Sequence, residues 1–290
     1  MVTEFAPAKV NLWLRVLGRR ADGYHLVESL MVPISLCDRL RVTFRETAGG
    51  AVHVRLSVRG STDGVPMGRT NLADRAARGF LRAVGIGGDV SIVLHKVIPP
   101  GSGLGGGSSD AAAVLRALSA LCPRRLPPGR LATLAASLGA DVPFFLKRRA
   151  ARVSGIGDIV RPSRRKVPKW FVVAVPRPGV STAAAYRALT LTTDQGGSRL
   201  SRFRYGVSYP ANDLEKAVLP RRSDISRLKG CLLGAGAQVA LMSGSGSAVF
   251  GVFASRRRAA AAAVRIPHGV RVFIVRSLAP SPALGRRAGR

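Results

Sequence analysis

The chain has 290 residues, of which 47% are hydrophobic and 21% charged, and this balance excludes both a disulfide-stapled miniprotein and a disordered chain. Lysine and arginine number 46 against 15 acidic residues, which gives a formal net charge of +31. Such a charge favours anionic partners, namely nucleic acid, an anionic membrane surface or phosphate-bearing small molecules. Because the arginines are scattered along the chain, a composition bias is favoured over a dedicated nucleic-acid footprint, which normally clusters on one face.

The cysteines, Cys37, Cys122 and Cys231, lie far apart in the sequence, and no C-x-x-C spacing joins them. This pattern is unlike a zinc ribbon or a redox dithiol, and it predicts a reduced, cytoplasmic protein. The N-terminal segment contains Glu4 and Lys9 and lacks the uninterrupted apolar core of a signal peptide.

The first part of the chain is predicted to form strands and then a helix. Residues 9–16 alternate with the period of a strand, so Lys9 and Asn11 should project from the same face. An Asp-Gly turn at residues 22–23 separates this strand from further strand-like patterns. An apolar stripe over residues 70–84 then indicates a helix.

A glycine-rich loop follows a predicted strand and leads into a second helix. Small residues at the start of that helix leave backbone N–H groups open, and these donors suit phosphate. We expect Ser108, Ser109 or Asp110 to cap its first turn. The dinucleotide fingerprint does not fit, because another helix follows, and the Walker A pattern does not fit, because no Gly-Lys-Ser/Thr closes the loop. The loop consists of Pro99, Pro100, Gly101, Ser102, Gly103, Leu104, Gly105, Gly106, Gly107, Ser108 and Ser109.

Asp141 follows the next predicted helix and directly precedes a Val-Pro-Phe-Phe segment. By position alone it either caps a helix or carries chemistry. A basic stretch with prolines near residue 160 predicts a boundary between an N-terminal domain, 1–160, and a C-terminal domain, 161–290.

The second half of the chain is predicted to alternate strands and helices. In order, the patterns indicate a strand at 170–176, a helix at 181–189, a low-complexity loop around 194–198, a helix at 212–219, two strands joined by SGSGS at 243–247, and a final helix and strand.

Several motifs together resemble the GHMP small-molecule kinases, and they occur in the order of that family. They are PAKVNL at 7–12, PPGSGLGGGSSDAA at 99–112, LGADVPFFL at 138–146 and SGSGSAVFG at 243–251. RADGYH at 20–25, VSTAAAYRAL at 180–189 and NDLEKAV at 212–218 are similar to members whose substrate carries a cytidine diphosphate. The resemblance implies an α+β fold with a ribosomal protein S5 domain 2-like N-terminal domain, a ferredoxin-like C-terminal domain and an active site in the cleft between them.

The resemblance also implies an activity, in which ATP phosphorylates the 2-hydroxyl of a methylerythritol linked to cytidine diphosphate. Asp141 would act as the base and Lys9 as its electrostatic partner, while the glycine-rich loop binds the ATP phosphates. Mg²⁺ is implied as well, held chiefly by ATP and water, with no protein ligand identified. The implied substrate-binding residues are Asn11, Tyr24, His25, Tyr186, Ser243, Gly244, Ser245 and Gly246.

Two alternatives stay open at this point. Another GHMP kinase would act on a different alcohol, and it would not need Tyr24 and His25 to recognise a base. A nucleic-acid-binding protein on a kinase fold would explain the charge directly. We expect small-molecule substrates, no obligate nucleic acid and no membrane partner, and either a monomer or a homodimer.

Overall fold

The computed structural model describes residues 1–47, 49–189 and 211–279, and it contains two β-sheets with helices packed on them. This arrangement confirms the predicted α+β class. Within these ranges no helix combines the length and the apolar character needed to cross a membrane. The low-complexity segment around 194–198 lies outside the described residues.

The first sheet has six strands, all of which lie within residues 2–162. The order is β3-β4-β2-β5-β6, and β1 pairs antiparallel with β2. Only β3 and β4 pair in parallel among these strands. The strands are β1 Val2–Arg19, β2 His25–Glu46, β3 Val52–Gly60, β4 Gly88–Lys96, β5 Ala151–Ser154 and β6 Ile159–Pro162.

Four helices pack on one face of this sheet and bury its apolar side chains. They are α1 Leu72–Val84, α2 Gly106–Leu121, α3 Pro128–Leu138 and α4 Val142–Lys147. Phe80 of α1 and Phe144 of α4 are fully buried with Ile92 and Leu94 of β4 in one core cluster. This core fixes α2 and α4, whose N-terminal ends form part of the functional site.

The second sheet has four antiparallel strands in the order β10-β7-β9-β8. Its strands are β7 Trp170–Val175, β8 Val239–Met242, β9 Val249–Phe253 and β10 Arg271–Arg276. The described helices of this half are α5 Thr182–Arg187, α6 Glu215–Val218, α7 Ser223–Gly234 and α8 Arg256–Ala263. The sequence predicted these strands and the helices α5, α6 and α8, but it missed α7, and α6 is shorter than the helix expected over residues 212–219.

The two sheets share a buried cluster, so neither half packs alone. Val10 of β1 and Ile34 of β2 lie in it with Phe171 of β7 and Phe250 of β9. We propose that the boundary between the two domains lies near residue 160. The end of β6 at Pro162 and the start of the second sheet at Trp170 support this position.

Candidate active site

An open cleft of about 1360 Å³ runs between the two halves of the molecule. Its lining comes from β1, the turn after β1, the glycine-rich loop, the start of α4, the helix α5 and the loop between β8 and β9. Segments far apart in the sequence therefore meet at one surface, as the motifs predicted.

Lys9 and Asp141 lie on the same stretch of this cleft. The Lys9 Nζ atom is 3.9 Å from Oδ2 of Asp141, with the lysine side chain 4% exposed and the aspartate side chain 34% exposed. Asp141 occupies the N-cap position of α4, yet its side chain makes no capping hydrogen bond. The carboxylate is therefore available to a molecule in the cleft.

The ammonium group of Lys9 is held by a short chain of hydrogen bonds. Nζ donates to Oδ1 of Asn11 at 2.6 Å, Nδ2 of Asn11 donates to Oγ of Ser29 at 2.8 Å, and Ser29 donates to the Trp13 carbonyl at 2.6 Å. The predicted common face of Lys9 and Asn11 is confirmed. Burial lowers the pKa of Lys9, and the negative charge of Asp141 offsets part of this effect.

The glycine-rich loop enters α2 at Gly105, which has a φ of 74° and makes no side-chain cap. The expectation that Ser108, Ser109 or Asp110 caps the helix is wrong, because the helix begins at Gly106 and all three lie inside it. The N–H groups of the first turn have no partner within the helix and lie beside the cleft, where Gly106, Gly107 and Ser108 are part of the lining. This geometry suits the binding of an anion.

The glycine-rich loop and the loop between β8 and β9 pack directly on each other. Oγ of Ser243 donates to the Gly103 carbonyl at 3.1 Å, and the Ala248 N–H donates to the Ser102 carbonyl at 3.0 Å. A Cβ atom on Gly103 would lie 2.1 Å from the Ser243 carbonyl oxygen. The two loops therefore hold one conformation between them. The side chain of Asn212 fixes the second loop by donating to the carbonyls of Met242 and Gly244 at 2.8 and 2.7 Å.

The aromatic residues lie at the other end of the cleft. Tyr24 is 60% exposed at the rim, and the rings of His25 and Tyr186 have centroids 5.0 Å apart at an interplanar angle of 33°. Burial and the charge of Asp141 raise the pKa of Tyr186 to about 12. Burial and the nearby Arg19 lower the pKa of His25, which favours its neutral imidazole at pH 7.

A buried ion cluster beneath the glycine-rich loop was not anticipated from the sequence. Nζ of Lys96 hydrogen-bonds to Asp38 and, at 2.8 Å, to Oδ2 of Asp110, and Lys96 and Asp110 both line the cleft. Burial raises the pKa of Asp110 well above its usual range, and the charge of Lys96 counters this in part. The two carboxylates outweigh burial for Lys96 and raise its pKa. The sequence does contain a signal for this cluster, because Lys96 and Asp38 occupy alternating strand positions whose neighbours two residues away are buried and apolar.

The cleft brings together most, but not all, of the predicted site residues. The lining includes Lys9, Asn11, Tyr24, His25, Pro99, Pro100, Gly101, Ser102, Gly103, Gly105, Gly106, Gly107, Ser108, Asp141, Tyr186, Gly244 and Ser245. Leu104, Ser109, Ser243 and Gly246 are not part of the lining, and of these Ser243 connects the two loops. The lining also includes Arg19, Thr182 and Arg187, which were not predicted as site residues, although Thr182 and Arg187 fall within the motif at 180–189.

Both halves of the chain match models of one protein family. The model of the GHMP kinases N terminal domain matches residues 71–149, and that of the GHMP kinases C terminal matches residues 199–270. Among curated relatives, 4-diphosphocytidyl-2-C-methyl-D-erythritol kinase of Geobacter metallireducens is 42% identical over 94% of this chain and 97% of its own. The protein of the same name from Syntrophotalea carbinolica is also 42% identical, over 95% of this chain and 98% of its own.

The solved structures agree with this result. A crystal structure of a 4-(cytidine 5'-diphospho)-2C-methyl-D-erythritol kinase has a TM-score of 0.76 and 40% identity, covering 95% of this chain and 99% of the other. Homoserine kinase from Cytophaga hutchinsonii has a TM-score of 0.70 at 20% identity, covering 96% and 94%, and shows a common fold. The chain therefore belongs to the GHMP kinase family, in the branch of its 4-diphosphocytidyl-2-C-methyl-D-erythritol kinase relatives.

Proposed function

We propose that this protein uses ATP to phosphorylate the 2-hydroxyl of 4-diphosphocytidyl-2-C-methyl-D-erythritol. The observation that carries the proposal is the Lys9–Asp141 pair, which lies between a phosphate-binding helix terminus and an aromatic pocket in one cleft. The reaction belongs to the non-mevalonate route to isoprenoid precursors. ATP as a co-substrate and the unpaired Cys37, Cys122 and Cys231 support a cytoplasmic location.

The ATP phosphates bind at the start of α2. Gly101, Gly103 and Gly105 have positive φ values of 63°, 75° and 74°, which directs the loop backbone around this end of the cleft. The open N–H groups and the helix dipole there stabilise negative charge. A Cβ atom would clash at Gly103 and at Gly105, whereas at Gly101, where no atom lies closer than 4.0 Å, the positive φ alone favours glycine.

Asp141 accepts the proton of the attacking hydroxyl. Phosphoryl transfer asks the protein chiefly to position the nucleophile and to stabilise charge on the transferred group. A carboxylate that is one-third exposed and free of capping bonds meets the first requirement. Lys9, fixed through Asn11, supplies positive charge next to it and orients the carboxylate.

The cytosine base binds among Tyr24, His25 and Tyr186. Aromatic faces stack on a base at either side, and the neutral imidazole of His25 offers one donor and one acceptor to its edge. Arg19 and Arg187 line the same end of the cleft and complement the charge of a diphosphate. Ser245, whose Oγ is 2.9 Å from Oγ1 of Thr182, is a further contact, and Gly244 leaves room beside Lys9.

Mg²⁺ accompanies ATP in such reactions, and a protein-held ion would need oxygen ligands grouped in the cleft. Among the described residues no group of three or more His, Cys, Asp or Glu side chains is arranged to hold a metal. Near the start of α2, Asp110 is bonded to Lys96 and Ser109 is fully buried outside the cleft lining. These residues do not fit a protein-held magnesium site, so no protein ligand is assigned to the ion.

The test is an assay of ADP release coupled to NADH oxidation. The cytidylated methylerythritol is compared with homoserine, mevalonate and galactose at equal concentration. We expect turnover with the first alone, and turnover lower by about 10²-fold or more in an Asp141→Asn control. Release with one of the other alcohols and not with the first would overturn the proposal in favour of a different GHMP kinase.

A further inference from the structure

The face of the first sheet that points away from the helices is strongly basic, and no helix of the described residues covers it. We call it the arginine face, and it spans β3, β4, β2 and the start of β1, where exposed positions alternate with buried ones. Its members are Met1, Thr3 and Phe5 of β1 and its N-terminal end; Arg39, Arg41, Thr43 and Arg45 of β2; Asp89, Ser91, Val93 and His95 of β4; and His53, Arg55, Ser57 and Arg59 of β3.

The strand register brings basic side chains next to one another. Arg39 of β2 and Arg59 of β3 both pair with His95 of β4, which forms a row across three strands, and Phe5 pairs with Arg39 from the other side. Neighbouring strands are about 4.8 Å apart, and residues two apart on one strand are about 6.7 Å apart. The side chains therefore form a compact grid.

The charges of this grid are not balanced by the described residues around it. The face holds five arginines and a single acidic residue, Asp89, which pairs with Arg45 at 2.7 Å. The other four, Arg39, Arg41, Arg55 and Arg59, form no ion pair with the described part of the chain. Like charges on adjacent strands destabilise a sheet, so an anionic ligand would relieve a repulsion that the fold itself leaves in place.

We propose that the arginine face binds single-stranded nucleic acid. Arginine donates paired hydrogen bonds to phosphate, and its planar group stacks on bases. Phe5, which is 53% exposed, and the exposed His95 offer rings for base stacking. An anionic membrane would require an apolar band that enters the bilayer, and the middle of this face offers only the half-buried Val93.

This surface is separate from the cleft. None of the residues of the arginine face, all of which are described, belongs to the lining of the active site. Nucleic-acid binding would therefore accompany the kinase activity, and its presence or absence leaves the proposed function unaffected.

The experiment measures binding of the full chain to a fluorescein-labelled single-stranded RNA of about 12 nucleotides by fluorescence anisotropy. The face variant carries Arg39→Gln, Arg41→Gln, Arg55→Gln and Arg59→Gln. The control variant carries Arg256→Gln, Arg257→Gln, Arg258→Gln and Arg265→Gln, four arginines on or next to α8. Both variants have the same reduction in net charge, so the overall electrostatic attraction between the protein and RNA falls equally in both.

We expect the face variant to bind RNA at least about tenfold more weakly, with the control within about twofold of the original chain. Between about 50 and about 200 mM salt, the slope of log K against log salt should shrink by about 0.7 for each phosphate that the variant no longer neutralises. Equal weakening of both variants, or no RNA binding by the original chain at low salt, overturns the proposal.

Two further arms identify the ligand class. Phe5→Ala removes no charge, so it should weaken RNA binding while leaving binding of inorganic polyphosphate unchanged. An unchanged RNA affinity overturns the assignment to nucleic acid in favour of any polyanion. Binding to phosphatidylserine vesicles without binding to RNA overturns it in favour of a membrane. Circular dichroism checks folding, and should the face variant unfold, Arg39→Gln with Arg59→Gln gives the same comparison.

Discussion

Nζ of Lys9 and Oδ2 of Asp141 are 3.9 Å apart, although one residue comes from β1 and the other from the start of α4. The distance exceeds that of a hydrogen bond, so the ammonium group stabilises the carboxylate without occupying its oxygens. Lys9 instead donates to Asn11. This arrangement leaves the carboxylate oxygens of Asp141 open to the cleft, as a base for a hydroxyl requires.

Replacing Asp141 with asparagine should lower kcat by about 10²- to 10⁴-fold, because the amide cannot accept the proton. The Kd for ATP should stay within about twofold, since the carboxylate makes no bond to the glycine-rich loop. Single-turnover kinetics and equilibrium binding measure the two quantities. The matched control is Asp63→Asn, whose side chain is 82% exposed. A kcat within about tenfold of the original enzyme would remove Asp141 from the role of base.

The activity should decline on the alkaline side at a pH below 10.5, the ordinary pKa of lysine, because burial lowers the pKa of Lys9. The charged ammonium is present below this lowered pKa and is lost as the pH rises through it. Tyr186 titrates later, since its pKa is raised to about 12. In Lys9→Arg the guanidinium stays charged, so its kcat profile should lack this decline. If kcat of Lys9→Arg declines at the same alkaline pH as kcat of the original enzyme, the decline is caused by the titration of another group.

Tyr24→Ala should raise KM for the cytidylated substrate by about 5- to 150-fold, which corresponds to removing about 1–3 kcal/mol of stacking on the base. KM for ATP should be nearly unchanged, because Tyr24 lies at the opposite end of the cleft from the glycine-rich loop. Steady-state kinetics with each substrate varied in turn give both constants. Tyr24→Phe, which keeps the ring, serves as the control. Equal rises in both KM values would indicate a general effect on the cleft.

The motif residues could be predicted from the sequence because each motif is one continuous stretch of chain. Which motifs lie next to one another is decided only by the fold. Lys9 and Asn11 illustrate the limit of that reasoning. Strand alternation placed them on one face, but it did not predict that both are 3% exposed, since the sequence does not show that the second sheet packs beside β1. The predicted N-cap residue of α2 was wrong for a different reason. Serine prefers the N-cap, whereas here Gly105 adopts a positive φ and starts the helix earlier.

Lys96→Met should destabilise the protein by about 3–5 kcal/mol, because it leaves the buried carboxylates of Asp38 and Asp110 without their cation. Arg45→Gln provides the contrast. Arg45 is 79% exposed, so the loss of its ion pair with Asp89 should lower the stability by only about 0–1 kcal/mol. Urea unfolding followed by circular dichroism measures both. Similar decreases in stability of the two variants would mean that the cluster beneath the glycine-rich loop does not depend on its lysine.

Gly103→Ala should disrupt the packing between the two loops of the cleft. The added Cβ would lie 2.1 Å from the Ser243 carbonyl oxygen, and the residue has a φ of 75°, so both backbone strain and a clash oppose it. Gly236→Ala has the strain without the clash, because its φ is 88° and no atom lies within 4 Å of the added Cβ. The control should therefore cost about 1–2 kcal/mol, and Gly103→Ala should cost more and also raise KM for ATP. Thermal unfolding and steady-state kinetics test this. Equal decreases in stability with an unchanged KM for ATP would show that the interlocked loops do not shape the phosphate site.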